Sequence, residues 1–154
     1  MHPLTAFPMA ILSATLLATP AARAQNGLVS VKSAHDVART VERLEAALKE
    51  KDVALVAKVD HAAGAARIGE RLRPTVLLVF GTPKLGTPLL QCAQTAGIDL
   101  PQKALVWQDE KGQTWLTYND PRYIASRHAA GECGDVVRKT AAALEVFAAA
   151  ATKP

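Results

Sequence analysis

The sequence predicts an α+β domain: a single, mostly antiparallel β-sheet with helices packed on one face, in the order β-α-β-(short α)-β-α-β-β-(short α)-α. Three observations carry this. Val37, Val41, Leu44 and Leu48 recur at helical spacing. Residues 53–59 alternate along a strand whose second face carries Lys58, so one side of the sheet is partly wet. Residues 103–108 and 113–118 flank Asp109-Glu110-Lys111-Gly112, a polar four-residue turn with glycine where a left-handed conformation is needed, which marks a hairpin.

The elements follow in order. Residues 28–32 alternate and carry Val29 and Val31 on one face, a short first strand. Ser33, with Asp36 three residues on, is expected to cap the helix bearing the Val37 to Leu48 stripe. In the second strand, Val53, Leu55, Ala57 and Val59 are expected to share one face. A short alanine-rich helix then runs from His61 to about Arg71, before Pro74. Residues 75–80 are apolar on both alternating sets, which fits a central strand, so Leu77→Asp is expected to abolish soluble expression while Lys49→Ala is silent. The loop from Gly81 to Pro88 leads to a helix with Thr87 as N-cap and Pro88 as first residue, ended by Gly97. Asp120-Pro121 starts another short helix to about His128. The last helix turns Val136, Val137, Thr140, Leu144 and Phe147 inward and ends in an alanine-rich tail expected to fray.

The first 24 residues read as a secretory signal peptide: an apolar stretch from Ala6 to Ala18, Pro20, and the small-x-small site Ala22-Arg23-Ala24. Its apolar run is shorter than the roughly 20 residues of a spanning helix. Cleavage before Gln25 is expected, leaving residues 25–154 as one domain in the periplasm or outside the cell, with no membrane span. The net charge of +4 falls to +3 with the loss of Arg23, and the remaining charges are dispersed. No basic stripe interleaved with aromatics appears, so nucleic acid is not a predicted partner.

Five ordered motifs carry a resemblance: Asp60-His61-Ala62-Ala63, Leu72-Arg73-Pro74-Thr75, the run from Phe80-Gly81-Thr82-Pro83-Lys84 to Leu89, Asp99-Leu100-Pro101, and Tyr118-Asn119-Asp120-Pro121. Over residues 28–128 the chain resembles the domain-of-unknown-function 302 family. That resemblance implies an antiparallel sheet with helices packed on it, sometimes found as a dimer, and no assigned reaction. Thr82 stands where the family pattern has Asn, and Cys92 where small or polar residues are usual.

Candidate chemistry concentrates at strand ends. Gly81 and Gly86 have the spacing of a phosphate loop, but Lys84 lies between them rather than after the second, which excludes a Walker motif. Lys84, Thr82 and Thr87 at a helix start could instead hold an anion, against the plainer reading that the glycines and prolines shape a tight crossing. Asp60 and His61 could act as base or metal ligand, or Asp60 could cap a helix. Asp120 reads first as a cap, and His128 and His35 are candidate partners of His61 although no two histidines share a helix-face spacing. No nucleophile motif is present, so no catalytic residue is assigned. Cys92 and Cys133 could pair in an exported chain or stay inward and free.

Three functions follow in order of support. The first is a non-catalytic domain binding a small anion or metal through Asp60, His61, Lys84, Thr87, Asp120 and His128. The second is a protein that forms a homodimer or docks on a partner, and the third a hydrolase-like enzyme using His61. No cofactor is specified. The first reading requires the Asp60-His61 turn and the Gly81 to Thr87 loop to border one site.

Overall fold

The computed structural model describes residues 22–23 and 26–154. Its sheet is antiparallel throughout, with strands β2 (Leu28–Lys32), β3 (Ala54–Asp60), β4 (Thr75–Gly81), β5 (Gln102–Gln108) and β6 (Thr114–Asn119) in the order β2-β6-β5-β4-β3. A two-residue strand β1 (Ala22–Arg23) extends the β2 edge, with Arg23 opposite Val29. The rest of the expected leader, and the cleavage site's Ala24 and Gln25, lie outside the described residues. No described helix is long and apolar enough to cross a membrane.

Helices α1 (Val37–Glu50) and α5 (Gly134–Thr152) pack on each other and on one face of the sheet. Alternation explains which strand residues meet them. Val76, Leu78 and Phe80 of β4, Ala104 and Val106 of β5, Leu116 and Tyr118 of β6 and Val29 and Val31 of β2 point into this core. Against them lie Val37, Val41, Leu44 and Leu48 of α1, with Leu144, Phe147, Ala148 and Ala151 of α5. Phe80 and Phe147 meet edge to face at 6.3 Å. A second cluster joins α3 (Pro83–Cys92), the 3₁₀ turn Gln94–Ile98, α4 (Pro121–Arg127) and the start of α5 through Leu89, Ala96, Ile124, Ala125 and Val137.

Several local expectations shift. Asp36, not Ser33, caps α1, its carboxylate accepting from the Arg39 N–H at 2.7 Å. Ser33 is buried and bonded to the Thr40 hydroxyl at 2.7 Å. The register of β3 slips between Leu55 and Ala57, so Leu55 opposite Phe80 faces the helices while Ala57 and Val59 face away. Lys58 consequently leans to the helix side and pairs with Glu45 of α1 at 2.8 Å. The short helix α2 (His61–Ala66) stops before Arg71. Of the two Thr-Pro pairs, the first is the one used: α3 starts at Thr82-Pro83, and Pro88 lies inside it. Within β4, Leu78 is fully buried, whereas Leu77 lies on the opposite face outside both cores. The alanine tail of α5 does not fray. Ala148, Ala151 and Thr152 are buried against α1, the Thr152 carbonyl accepts from the Ala34 N–H at 2.9 Å, and Arg43 reaches the carbonyls of Ala150 and Lys153.

The hairpin turn is held by Asp109. Its carboxylate accepts from the Trp115 indole and the Gln113 and Lys111 N–H groups, each at 2.9 Å, and Gly112 takes φ +78. The Trp115 hydrogen bond is the main reason the Asp109 carboxyl is held below its ordinary pKa. At the other end of the sheet, Gly27 takes φ +78, and a Cβ there would meet the Tyr123 ring at 2.1 Å. Only glycine lets the chain entering β2 pass this close to α4.

Candidate functional site

The antiparallel register decides the fate of the joint strand-end site. Asp60 stands opposite Val76 at the start of β4, and Gly81 at its far end stands opposite Ala54. Five residues of strand, about 17 Å, therefore separate the Asp60-His61 turn from the loop leading to Lys84 and Thr87. The two motifs do not border one site. Asp60 caps α2 by accepting from the Ala63 N–H at 2.9 Å, and His61 is exposed as the first residue of that helix. Lys84 and Thr87 are exposed on α3, where the Leu85 and Gly86 N–H groups are already taken by the Thr82 carbonyl at 3.0 and 3.1 Å and Pro83 has none to offer. Asp120 caps α4 through the Arg122 N–H at 2.9 Å, with Pro121 following.

His128 is the candidate with the richest contacts. Its Nε2 lies 2.7 Å from an Asp99 oxygen, its Nδ1 lies 3.0 Å from the Thr95 hydroxyl, and Arg127 reaches the second Asp99 oxygen at 3.2 Å. A hydroxyl, an imidazole and a carboxylate in line have the order of a nucleophile relay. None of the three, however, lines either of the two clefts described for this fold. What the cluster does is clamp the 3₁₀ turn of residues 94–98 to the end of α4. Sequence reasoning found His128 but not Asp99 or Thr95. No group of three or more His, Cys, Asp or Glu close enough to hold a metal ion occurs among the described residues.

A cleft of about 430 Å³ opens elsewhere, between α3, α5 and the β4 and β5 ends nearest them. Leu85, Leu89 and Leu90 of α3 form one wall, and Ala143, Leu144 and Phe147 of α5 another. Phe80, Leu100 and Pro101 close the remainder. No Asp, Glu, Lys, Arg or His lines it, and its polar side chains are Thr82, Thr87, Thr140 and Gln102. Thr140 is already engaged, donating to the Val136 carbonyl at 2.9 Å. Gln102 is buried on the helix-facing side of β5, opposite Phe80, and its carboxamide makes no hydrogen bond among the described residues. Its signal in the sequence is the alternation Gln102, Ala104, Val106, in which one polar residue occupies a core position. A strand begun at Lys103 passes over it.

The cleft walls are tied together covalently. Cys92 at the end of α3 and Cys133 just before α5 form a disulfide, with their Cα atoms 6.2 Å apart.

Comparison with known proteins places this architecture. A family model described as "Domain of unknown function DUF302" matches residues 29–147. The chain belongs to the DUF302 family. The DUF302 fold is seen again in the crystal structure of an uncharacterized conserved protein DUF302 from Bacillus stearothermophilus, with a TM-score of 0.74 at 19% identity over 81% of this chain and 98% of that one. The chain is also 47% identical over 114 residues to proteins named fluoride-specific ion channel FluC 1 in Brucella suis biovar 1 (strain 1330) and Brucella abortus biovar 1 (strain 9-941). Those 114 residues are 74% of this chain but only 45% and 42% of those two, so the DUF302 chain spans less than half the length of these relatives.

Proposed function

We propose that the chain is an exported, non-catalytic binding module whose ligand site is the cleft between α3 and α5. One observation carries the reading: a concave, mostly apolar space of about 430 Å³ ends on a buried amide with no protein partner among the described residues. Ligand sites have this composition, an apolar lining with few polar groups that fix orientation. The strand-end residues favoured for an anion or metal lie scattered, two of them occupied as caps. The Brucella relatives support a portable module, because there a segment like this one is part of a longer chain. Ala143→Leu tests the reading by filling the cleft with side chain. The fluorescence of 1-aminoanthracene, a small neutral probe, is expected to rise with the parent protein and to fall at least about tenfold in apparent affinity with the variant, while the melting temperature holds or increases. Equal probe binding by parent and variant sinks the assignment.

A second reading, homodimerisation, is favoured by the other face of the sheet. Across it run three rows, Thr75-Trp107-Trp115-Lys32, Val59-Leu77-Leu105-Thr117-Ser30 and Ala57-Val79-Lys103. Leu77, Val79, Leu105 and Trp107 belong to neither core cluster. No strand residue in these rows is acidic, the Asp109 carboxylate at the hairpin end is bonded to Trp115, and Lys103 is tied to its own chain through the carbonyls of Asp99 and Pro101, so two copies can meet on the face without opposing free charges of one sign at its centre. Strands β3 to β6 span about 19 by 17 Å, on the order of 1,000 Å² of accessible surface for a pair of faces, near the lower limit of specific interfaces. A two-fold axis along β4 would lay the apolar β3–β5 strip of one copy on that of the other. Native mass spectrometry of protein from the periplasm is expected to show a dimer of residues 25–154, and Leu105→Lys a monomer of unchanged melting temperature. A monomeric parent at tens of micromolar rejects the interface.

A further inference from the structure

We infer that the cleft between α3 and α5 selects a neutral ligand, with an apolar body and one uncharged hydrogen-bonding end that is read by the Gln102 carboxamide. The inference rests on the reading of the cleft as a ligand site and adds the chemistry that the site accepts. Gln102 is only 8% exposed, at a position where the next two residues of its strand face are Ala104 and Val106. A largely buried amide with no protein partner depends on whatever the cleft offers it, water or a ligand, for its hydrogen bonds. No side-chain polar atom without a partner is sealed from solvent among the described residues, so the Gln102 amide remains open to the cleft it lines. A primary amide offers two donors and an acceptor in one plane, which matches another amide, and with fewer bonds a ketone or a hydroxyl.

Charge is excluded by the lining. A carboxylate or ammonium entering this space would lose its hydration, and no ionisable side chain of the lining is there to replace it. Lys84 sits on α3 beside the cleft but is exposed and not among its lining residues. Thr140 has spent its hydroxyl proton on Val136, Thr87 is exposed and Thr82 half-buried, so Gln102 is the buried group of the lining with donors to give a ligand. The volume suits a ring system or a chain of several carbons rather than an ion.

Octanamide, 1-octanol and octanoate share one chain length and differ in the head group, so their affinities isolate it. Titration calorimetry at pH 8, where octanoate is ionised, is expected to rank octanamide first, 1-octanol next and octanoate at least about tenfold weaker than the amide. Gln102→Leu is expected to weaken octanamide about tenfold and to narrow the gap between the three, with Gln102→Met as a second variant of similar shape should leucine disturb β5. Octanoate binding as tightly as octanamide, or octanamide binding that both Gln102 variants leave intact, overturns the inference and leaves the cleft as a ligand site. No binding of any of the three, together with 1-aminoanthracene binding that Ala143→Leu does not change, overturns the site itself.

Discussion

Leu78→Asp is expected to leave no folded, soluble protein, whereas Leu77→Asp, its neighbour on β4, is expected to fold with a melting temperature within a few degrees of the parent. Leu78 has no exposed surface and lies in the sheet face covered by α1 and α5, among Ala104, Tyr118 and Leu44. A carboxylate there has no partner, and its burial costs several kcal/mol on top of about 2 kcal/mol or more for the lost leucine. Domains of this size are stable by only about 5–15 kcal/mol, so one such residue removes most of the margin. Leu77 points the other way, away from α1 and α5, and is partly exposed, so a carboxylate there keeps contact with water. Circular dichroism melts of the two variants decide it. A folded Leu78→Asp or an unfolded Leu77→Asp would reverse the assignment of the faces of β4.

This contrast also shows where the sequence was legible. Periodicity located β2, α1, the β5–β6 hairpin and α5, because each of these elements has one buried side and its apolar residues repeat with the period of the backbone. The one-sided helix layer on an antiparallel sheet was legible for the same reason. In β4 both alternating sets are apolar, so period alone says nothing about which set meets the helices, and Leu77 was given the role that Leu78 holds. In β3 the slip between Leu55 and Ala57 exchanges the faces part-way along, an effect of pairing with β4 that no local pattern encodes. Thr82-Pro83 and Thr87-Pro88 present the same start signal five residues apart, and the packing of Leu89 against the second core fits the earlier one.

The candidate site was less legible than the fold. Asp60, Asp120 and Pro121 attract notice because helix starts concentrate polar residues, and in the structure Asp60 and Asp120 serve as caps. The cleft escapes such a search. It is built from ordinary apolar residues on three elements distant in sequence, Leu89, Pro101 and Phe147 among them, and only their assembly makes it concave. At Gln102 the residue type conflicted with its position, a carboxamide among Ala104 and Val106 on the helix-facing side of β5. Conflict between a residue and its local pattern is the signal that marks a site more often than an accumulation of reactive side chains does.

Replacing both cysteines, Cys92→Ser with Cys133→Ser, is expected to lower stability by about 4 kcal/mol and to weaken probe binding in the cleft together with it. The bridge closes a segment of sequence separation 41, and constraining a loop of that length removes that much chain entropy from the unfolded state in the loop-closure model. Its position gives the second effect. Cys92 ends α3 and Cys133 precedes α5, so the bond joins the helices that supply the two walls of the cleft. That end of α3 is otherwise held by packing, with Leu89 buried and Leu90 and Ala93 beside it, and Pro88 within the helix cannot donate to the preceding turn. An oxidising compartment, as the expected export supplies, is where such a bond persists. Urea denaturation of the double variant reads the first effect, and 1-aminoanthracene titration well below its unfolding midpoint reads the second. A variant as stable as the parent would show that the bridge adds nothing to the second core. Lower stability with unchanged probe affinity would show that packing alone keeps α3 in place and that the disulfide supports the fold without shaping the cleft.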